Sequence, residues 1–479
     1  MYVVNQFLEN LSVNYLGGMQ VDQVSSAILM LLGYPLAHLF NLIPTTNPNS
    51  KHLFSIISSL SLMILVQELY AGAVHLLFDA LVVYILIKTL KGRVMTLSVF
   101  FFSMIHISYS QYLRQIAETG LVKYDHTGSH MIMVIKMTSL AFSINDGYAD
   151  KESLTRYQQK HAIREIPSFI EYLGYLFFFP SFIAGPAFEM KTYRDMIQLD
   201  NKKVLNKRIG YGYLQMLYSF FWGYIFVKYS SVYMYKGMLK EDFKSYSMSY
   251  KILYMYLSGI VYRSLYYVAW RMCEGACIIC GLGFSGYNDN QEPIFNDISN
   301  VHILKVEFPI YFKEVLNNWN IGTNTWLRNC FYVRLLPKGK NSSGKATLIT
   351  FLVSAWWHGF YPGYYLSFIL GGFMSNFSRI TYRMFNPFYQ NPNFLPGFRR
   401  VFQVAYIAFT SLLCIHMFSF AGAPFVLLDI KRSFEVWSMF YYFTPILVLF
   451  TIIYYDFMGG RRFFEKLHIK YKTSKDKSE

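Results

Sequence analysis

Ser354-Ala355-Trp356-Trp357-His358-Gly359-Phe360-Tyr361-Pro362-Gly363-Tyr364 sits in a run, 346–378, that contains no Asp, Glu, Lys or Arg. That run is longer than the roughly 20 apolar residues a helix needs to cross a bilayer. The one group in it that titrates near neutral pH is His358. An ionisable side chain at membrane depth is costly, which makes it a functional candidate. Pro362 and Gly363 predict a kink or a re-entrant turn, a geometry tolerated only where protein or water surrounds the backbone.

Composition extends the same reading. The chain has 479 residues, 54% hydrophobic and 15% charged. Soluble proteins carry about 25% charge, so a disordered chain is excluded and a soluble enzyme is not expected. Similar apolar runs lie near 25–43, 52–87 (interrupted at Gln67-Glu68), 94–109, 131–143, 169–187, 209–227, 252–283 (read as two), 346–372, 401–420 and 437–455. The expected fold is all-α and polytopic, with about 11 transmembrane helices plus re-entrant or interfacial helices. One multi-span domain, 1–455, is expected to end in a basic tail, 456–479.

The net charge of +16 comes from basic loops between apolar runs. Such loops suit anionic lipid headgroups or an anionic cosubstrate, and no nucleic-acid signature accompanies them. No Lys or Arg precedes Lys51, whereas Arg461, Arg462, Lys466, Lys470, Lys472, Lys475 and Lys477 crowd the other end. The positive-inside rule then puts the C-terminus in the cytosol and the N-terminus opposite, in keeping with an odd number of crossings. No basic n-region marks a cleavable leader, so the first apolar run is expected to direct membrane insertion. Lys475-Asp476-Lys477-Ser478-Glu479 resembles a dilysine retrieval signal, which implies the endoplasmic reticulum; a solvated tail explains it equally well. Five cysteines make no disulfide framework. Cys273, Cys277 and Cys280 share a helix face without a nearby fourth ligand, so no metal site is expected.

A lone membrane histidine is often a hydrogen-bonded packing residue, so His358 needs a partner. The candidate lies in Asn318-Trp319-Asn320-Ile321-Gly322-Thr323-Asn324-Thr325-Trp326-Leu327-Arg328. Phe312, Val315, Leu316, Trp319, Thr323, Trp326, Leu327 and Phe331 recur at helical spacing. The spacing predicts an amphipathic interfacial helix with its tryptophans at headgroup depth. Asn320 and Asn324 would share one face of it.

Together the two segments resemble the membrane-bound O-acyltransferase family, and within it the lysophospholipid acyltransferases. Trp319-Asn320 with Thr323-Asn324-Thr325-Trp326, then Trp357-His358-Gly359 with Gly363-Tyr364, carry the likeness. Asp125-His126-Thr127-Gly128, Lys136-Met137-Thr138-Ser139, Asn145-Asp146-Gly147, Phe182-Ile183-Ala184-Gly185-Pro186 and Glu274-Gly275-Ala276 extend it over about 125–375. The resemblance implies that His358 and Asn320 are catalytic, with Trp319, Thr323, Asn324, Trp326, Trp357, Gly359 and Tyr364 near the substrates. It implies acyl transfer from acyl-CoA, a cosubstrate rather than a bound cofactor, to a lysophospholipid hydroxyl, expected at sn-2.

Histidine suits the chemistry, because the hydroxyl must lose a proton as the new bond forms and the thiolate then leaves. No Ser or Cys in the motif pair takes the place of a nucleophile, so direct transfer in a ternary complex is expected. Arg328, Arg334, Lys338, Lys340 and Lys345 are candidates for the CoA phosphates. Gly339–Ala346 nearly matches a nucleotide-binding loop, but Ala346 replaces the magnesium-binding Ser or Thr. Other acceptors (sterol, diacylglycerol or protein) would use the same His358. A reading of another class is a transporter built on Glu68, His75 and Asp79.

The topology has a direct check. The sequon at Asn10 should be glycosylated and the one at Asn341 should not. A gel shift removed by deglycosylation and by Asn10→Gln is expected; a shift removed only by Asn341→Gln would reverse the orientation.

Overall fold

The computed structural model describes residues 2–15, 21–117, 125–199, 202–337, 342–391 and 394–473. It is helical nearly throughout, and among the described residues the sheet is one short hairpin, Phe284–Tyr287 with Pro293–Phe295. Eleven of the described helices have fifteen residues or more. By length and apolarity alone Gln23–Leu42, Tyr70–Thr89 and Arg399–Leu427 can each cross a membrane. The pair Ile430–Ser438 and Phe443–Phe457, bent by 82°, makes a fourth candidate.

The pattern of burial is that of a lipid-embedded bundle. Ile105, Phe409, Leu412 and Phe450 are exposed on long helices, while Ser55, Ser59, Ser258 and Ser264 are buried between helices. Apolar exposure is unfavourable in water but matches hydrocarbon, and small polar residues let helices approach closely.

Two apolar cores share the helix Met248–Ile279. Its C-terminal end, from Met272, packs with helices of the N-terminal part of the chain. Its middle, Tyr254 to Trp270, packs with the C-terminal part. Its contact with Lys202–Tyr229 is close because Gly212 and Gly275 meet there. A methyl on Gly275 would lie 2.1 Å from the Tyr34 hydroxyl and 2.5 Å from the Gly212 carbonyl oxygen.

Several expectations change. The run 252–283, read as two spans, is a single helix of 32 residues, with no Pro to break it. The run 169–187 is not a span. The helix Phe169–Leu176 stops ahead of Pro180 and Pro186, and a buried irregular segment follows. Its polar groups are met internally: Lys136 Nζ donates to the Tyr175 carbonyl and to Ser181 Oγ, each at 3.0 Å. The run 52–87 does divide at Gln67-Glu68, into Pro48–Leu65 and Tyr70–Thr89. Glu68 therefore lies off the helix, at φ 58°, and cannot share a helical face with His75 and Asp79.

Gly275→Ala should cost about 1–3 kcal/mol through overpacking. The check is the melting temperature in detergent; an unchanged value would contradict the close crossing.

Candidate active site

The interfacial helix expected around Trp319 is broken. Phe312–Asn318 ends, Trp319 is extended, and Ile321–Trp326 begins after Asn320 at φ 46°, ψ 56°. Asn tolerates this left-handed geometry better than most residues. Periodicity could not show the break, because the apolar spacing continues across it. Trp326 is buried and Trp319 half-buried within the protein.

Asn300 holds the break in place. The Ile321 amide donates to the Asn300 carbonyl and the Gly322 amide to Asn300 Oδ1, each at 2.9 Å. Asn300 Nδ2 donates to Asn320 Oδ1 at 3.3 Å. With its oxygen engaged, Asn320 keeps its own N–H₂ free of hydrogen bonds to described residues. Asn324 is different: its Nδ2 donates to the Leu316 carbonyl at 2.7 Å and so ties down the preceding helix.

His358 is the last residue of the helix Gly344–His358, which Ser343 caps at its start. Gly359 ends the helix at φ 123°, a conformation that favours glycine. Pro362 then opens the next helix, Pro362–Gln390. The run 346–372 is thus two helices, divided where Pro362 and Gly363 predict a turn. Packing enforces the division, since a methyl on Gly363 would lie 2.1 Å from the Pro424 carbonyl oxygen. The imidazole makes no hydrogen bond to described residues. Trp357, Phe425, Phe368 and Tyr364 surround it at ring separations of 4.7, 5.0, 5.1 and 5.6 Å.

His358 and Asn320 line one chamber of about 250 Å³. Trp319, Thr323 and Asn324 line it too, and most of the remaining wall is aromatic or aliphatic. Trp326, Trp357, Gly359 and Tyr364 stand behind the wall. Trp326 Nε1 donates to Thr138 Oγ1 at 2.8 Å and Trp357 Nε1 to the Met131 carbonyl at 3.1 Å. Their rings, 5.9 Å apart, join the two motif segments in one small core.

The chamber also contains residues that the sequence reading missed. Thr350 and Ser354 precede His358 by two turns and one turn, and this spacing of four was a legible signal. Arg263 reaches the wall from a distant helix. It makes a buried pair with Glu307 at 2.8 and 2.6 Å and donates to Ser419 Oγ at 3.2 Å.

The basic candidates separate. Arg328 and Lys345 are exposed. Arg334 is engaged by both carboxylate oxygens of Asp146, at 2.9 and 2.6 Å, and lies 4.6 Å over the Phe142 ring. Lys338 and Lys340 lie outside the described residues, as do the Asn341 sequon and Lys475–Glu479.

The sequence matches the model of the membrane-bound O-acyltransferase family over residues 111–419, which include both motif segments. The chain belongs to this family. It is 34% identical to a protein of Schizosaccharomyces pombe named lysophospholipid acyltransferase, over 92% of this chain and 87% of that one. A Drosophila melanogaster protein named lysophospholipid acyltransferase 6 is 33% identical over 93% of this chain and 63% of its own length. A Saccharomyces cerevisiae lysophospholipid acyltransferase is 30% identical over 94% and 76%. The family is one of acyltransferases, which leaves the transporter reading without support.

Asn300→Ala should lower the acyl-transfer kcat about 10- to 100-fold by misplacing Asn320. Steady-state kinetics at matched protein level checks this; wild-type kcat would show that Asn320 is positioned without Asn300.

Proposed function

We propose that the chain transfers a fatty acyl group from acyl-CoA to the free sn-2 hydroxyl of a lysophospholipid in the endoplasmic reticulum membrane. What carries this reading is the shared chamber: an imidazole and a primary amide face one apolar space, in a family of acyltransferases whose named relatives act on lysophospholipids.

The chemistry follows from those two groups. His358 accepts the proton of the acceptor hydroxyl as its oxygen attacks the thioester carbonyl. The carbonyl oxygen becomes an oxyanion, and Asn320 Nδ2 donates to it. One such donor in a water-poor site is worth about 2.7–4 kcal/mol. Collapse of the tetrahedral intermediate re-forms the carbonyl and breaks the C–S bond. The imidazolium returns its proton to the leaving thiolate, so the enzyme ends unchanged. No acyl-enzyme is needed, and mass spectrometry of the chain with acyl-CoA alone should show no added acyl group.

Aromatic and aliphatic walls accommodate acyl chains and keep water away from the thioester. Acyl-CoA arrives from the cytosol, and the basic side chains of Arg328, Lys338, Lys340 and Lys345, close in sequence, are the candidates to hold its phosphates. Arg334, clamped to Asp146, serves the fold instead.

Microsomes with wild type or His358→Ala, given labelled oleoyl-CoA and a panel of lysophospholipids, sterol and diacylglycerol, test the reading. Phospholipid product from wild type, reduced about 10²–10⁴-fold in the variant at equal protein level, is expected. Product on sterol or diacylglycerol alone would overturn the acceptor class, and equal product from both proteins would remove His358 as base. Charge reversal at Lys338 and Lys340 together should raise the acyl-CoA KM with kcat little changed. An unaltered KM would exclude them from CoA binding.

A further inference from the structure

Away from the chamber, three helices bring together a cluster that no sequence spacing displayed. Asp79 comes from Tyr70–Thr89, His106 from Gly92–Ala117 and His130 from Thr127–Gly147. Asp79 and His130 are fully buried, and the His106 side chain is 11% exposed. One ligand atom from each residue lies within 4.8 Å of the other two.

One side of this cluster is not an ordinary hydrogen bond. Asp79 Oδ1 and His106 Nδ1 are 3.3 Å apart, yet neither makes a hydrogen bond, to the other or to anything else described. The two atoms are close, but the imidazole N–H direction misses the oxygen. Neither atom is satisfied within the described protein, which leaves both available to a ligand beside them. Two ligand atoms at about 2.0–2.1 Å from a tetrahedral zinc are about 3.3–3.4 Å apart. His130 Nε2 is hydrogen-bonded to the other carboxylate oxygen, Asp79 Oδ2, at 2.9 Å, a bond that a metal on His130 Nε2 would replace; one ligand atom of each residue still lies within 4.8 Å of the others.

Around His106 the second layer is in keeping with a metal, whereas His130 Nδ1 has no hydrogen-bond partner among the described residues. His106 Nε2 lies 3.2 Å from His75 Nδ1, so a His106 that coordinates through Nδ1 can donate its other N–H to His75. Such outer partners fix the tautomer and ring orientation of ligating histidines. His126 stacks on His75 at 5.5 Å and its Nε2 lies 3.2 Å from Ser110 Oγ.

We propose that Asp79 Oδ1, His106 Nδ1 and His130 Nε2 bind a zinc ion, with water in the fourth position, and that the ion braces the helices behind the active site. This revises the expectation of no metal site, which rested on cysteine spacing. The brace reaches the chamber through the His106 helix. On that helix Ser108 Oγ accepts from Trp356 Nε1 at 2.8 Å, and Gln111 Nε2 donates to the Trp357 carbonyl at 2.7 Å. Zinc therefore acts by positioning the end of the His358 helix and takes no part in the transfer chemistry.

Elemental analysis of the full chain, purified in detergent, tests the site together with zinc rebinding to the chelator-stripped protein. About one zinc per chain is expected in wild type and below about 0.1 in Asp79→Asn and His130→Gln. Stripped wild type should regain one equivalent and a higher melting temperature on adding zinc chloride, a readout that needs no variant to fold. Less than about 0.1 zinc in wild type, with neither uptake nor a thermal shift after stripping, would overturn the proposal. So would full occupancy in a folded Asp79→Asn variant.

Discussion

A helix that stops inside a membrane protein leaves carbonyl groups without intrahelical partners, and each must be met where water is scarce. The helix bearing His358 meets this constraint in two ways. The Gly359 amide turns back to the carbonyls of Ala355 and Trp356. Gln111 reaches across from another helix to the Trp357 carbonyl, with 2.7 Å between them. That side-chain hydrogen bond lets the helix end where it does, and the end places an imidazole at the wall of an internal chamber. Gly359 supplies the φ the turn needs, and Gly363 lets the next helix start against Pro424. Gly359, Pro362 and Gly363 together divide 346–378 into two helices, and that division places His358.

The opposite wall solves a related problem by another route. There the backbone breaks at Asn320, and one buried asparagine, Asn300, meets the exposed amides and also orients the Asn320 side chain. Both proposed catalytic groups thus sit on interruptions of secondary structure, each held by an amide side chain from a different element. Such second-layer support is what makes an electrostatic site effective, since groups already oriented need no reorganisation as charge develops.

The helical class, the division at Gln67-Glu68 and the meeting of the two motif segments were legible in the sequence. They depend on local apolar runs or on side chains with distinctive chemistry. The supporting layer was not legible. Asn300 and Gln111 are ordinary polar residues until the fold brings them to a particular carbonyl or amide. The amphipathic reading of 312–331 failed because periodicity records which residues are apolar and is blind to one left-handed residue. The span expected at 169–187 failed because its apolar residues are buried against protein, and burial in protein and burial in lipid look alike in composition. Arg334 looked like one of a basic set, and only the tertiary fold shows that Asp146 engages it. The histidines near Asp79 come from three separate helices, which no local pattern connects.

His358 and Asn320 are proposed to act on the same reacting group. A double-mutant cycle on kcat/KM, with His358→Ala, Asn320→Ala and the pair, measures that most directly. The account predicts strong non-additivity, the double variant falling within about tenfold of the slower single variant, as for residues that work as one unit. Losses that multiply independently would mean that the two side chains serve separate steps, and would contradict the account.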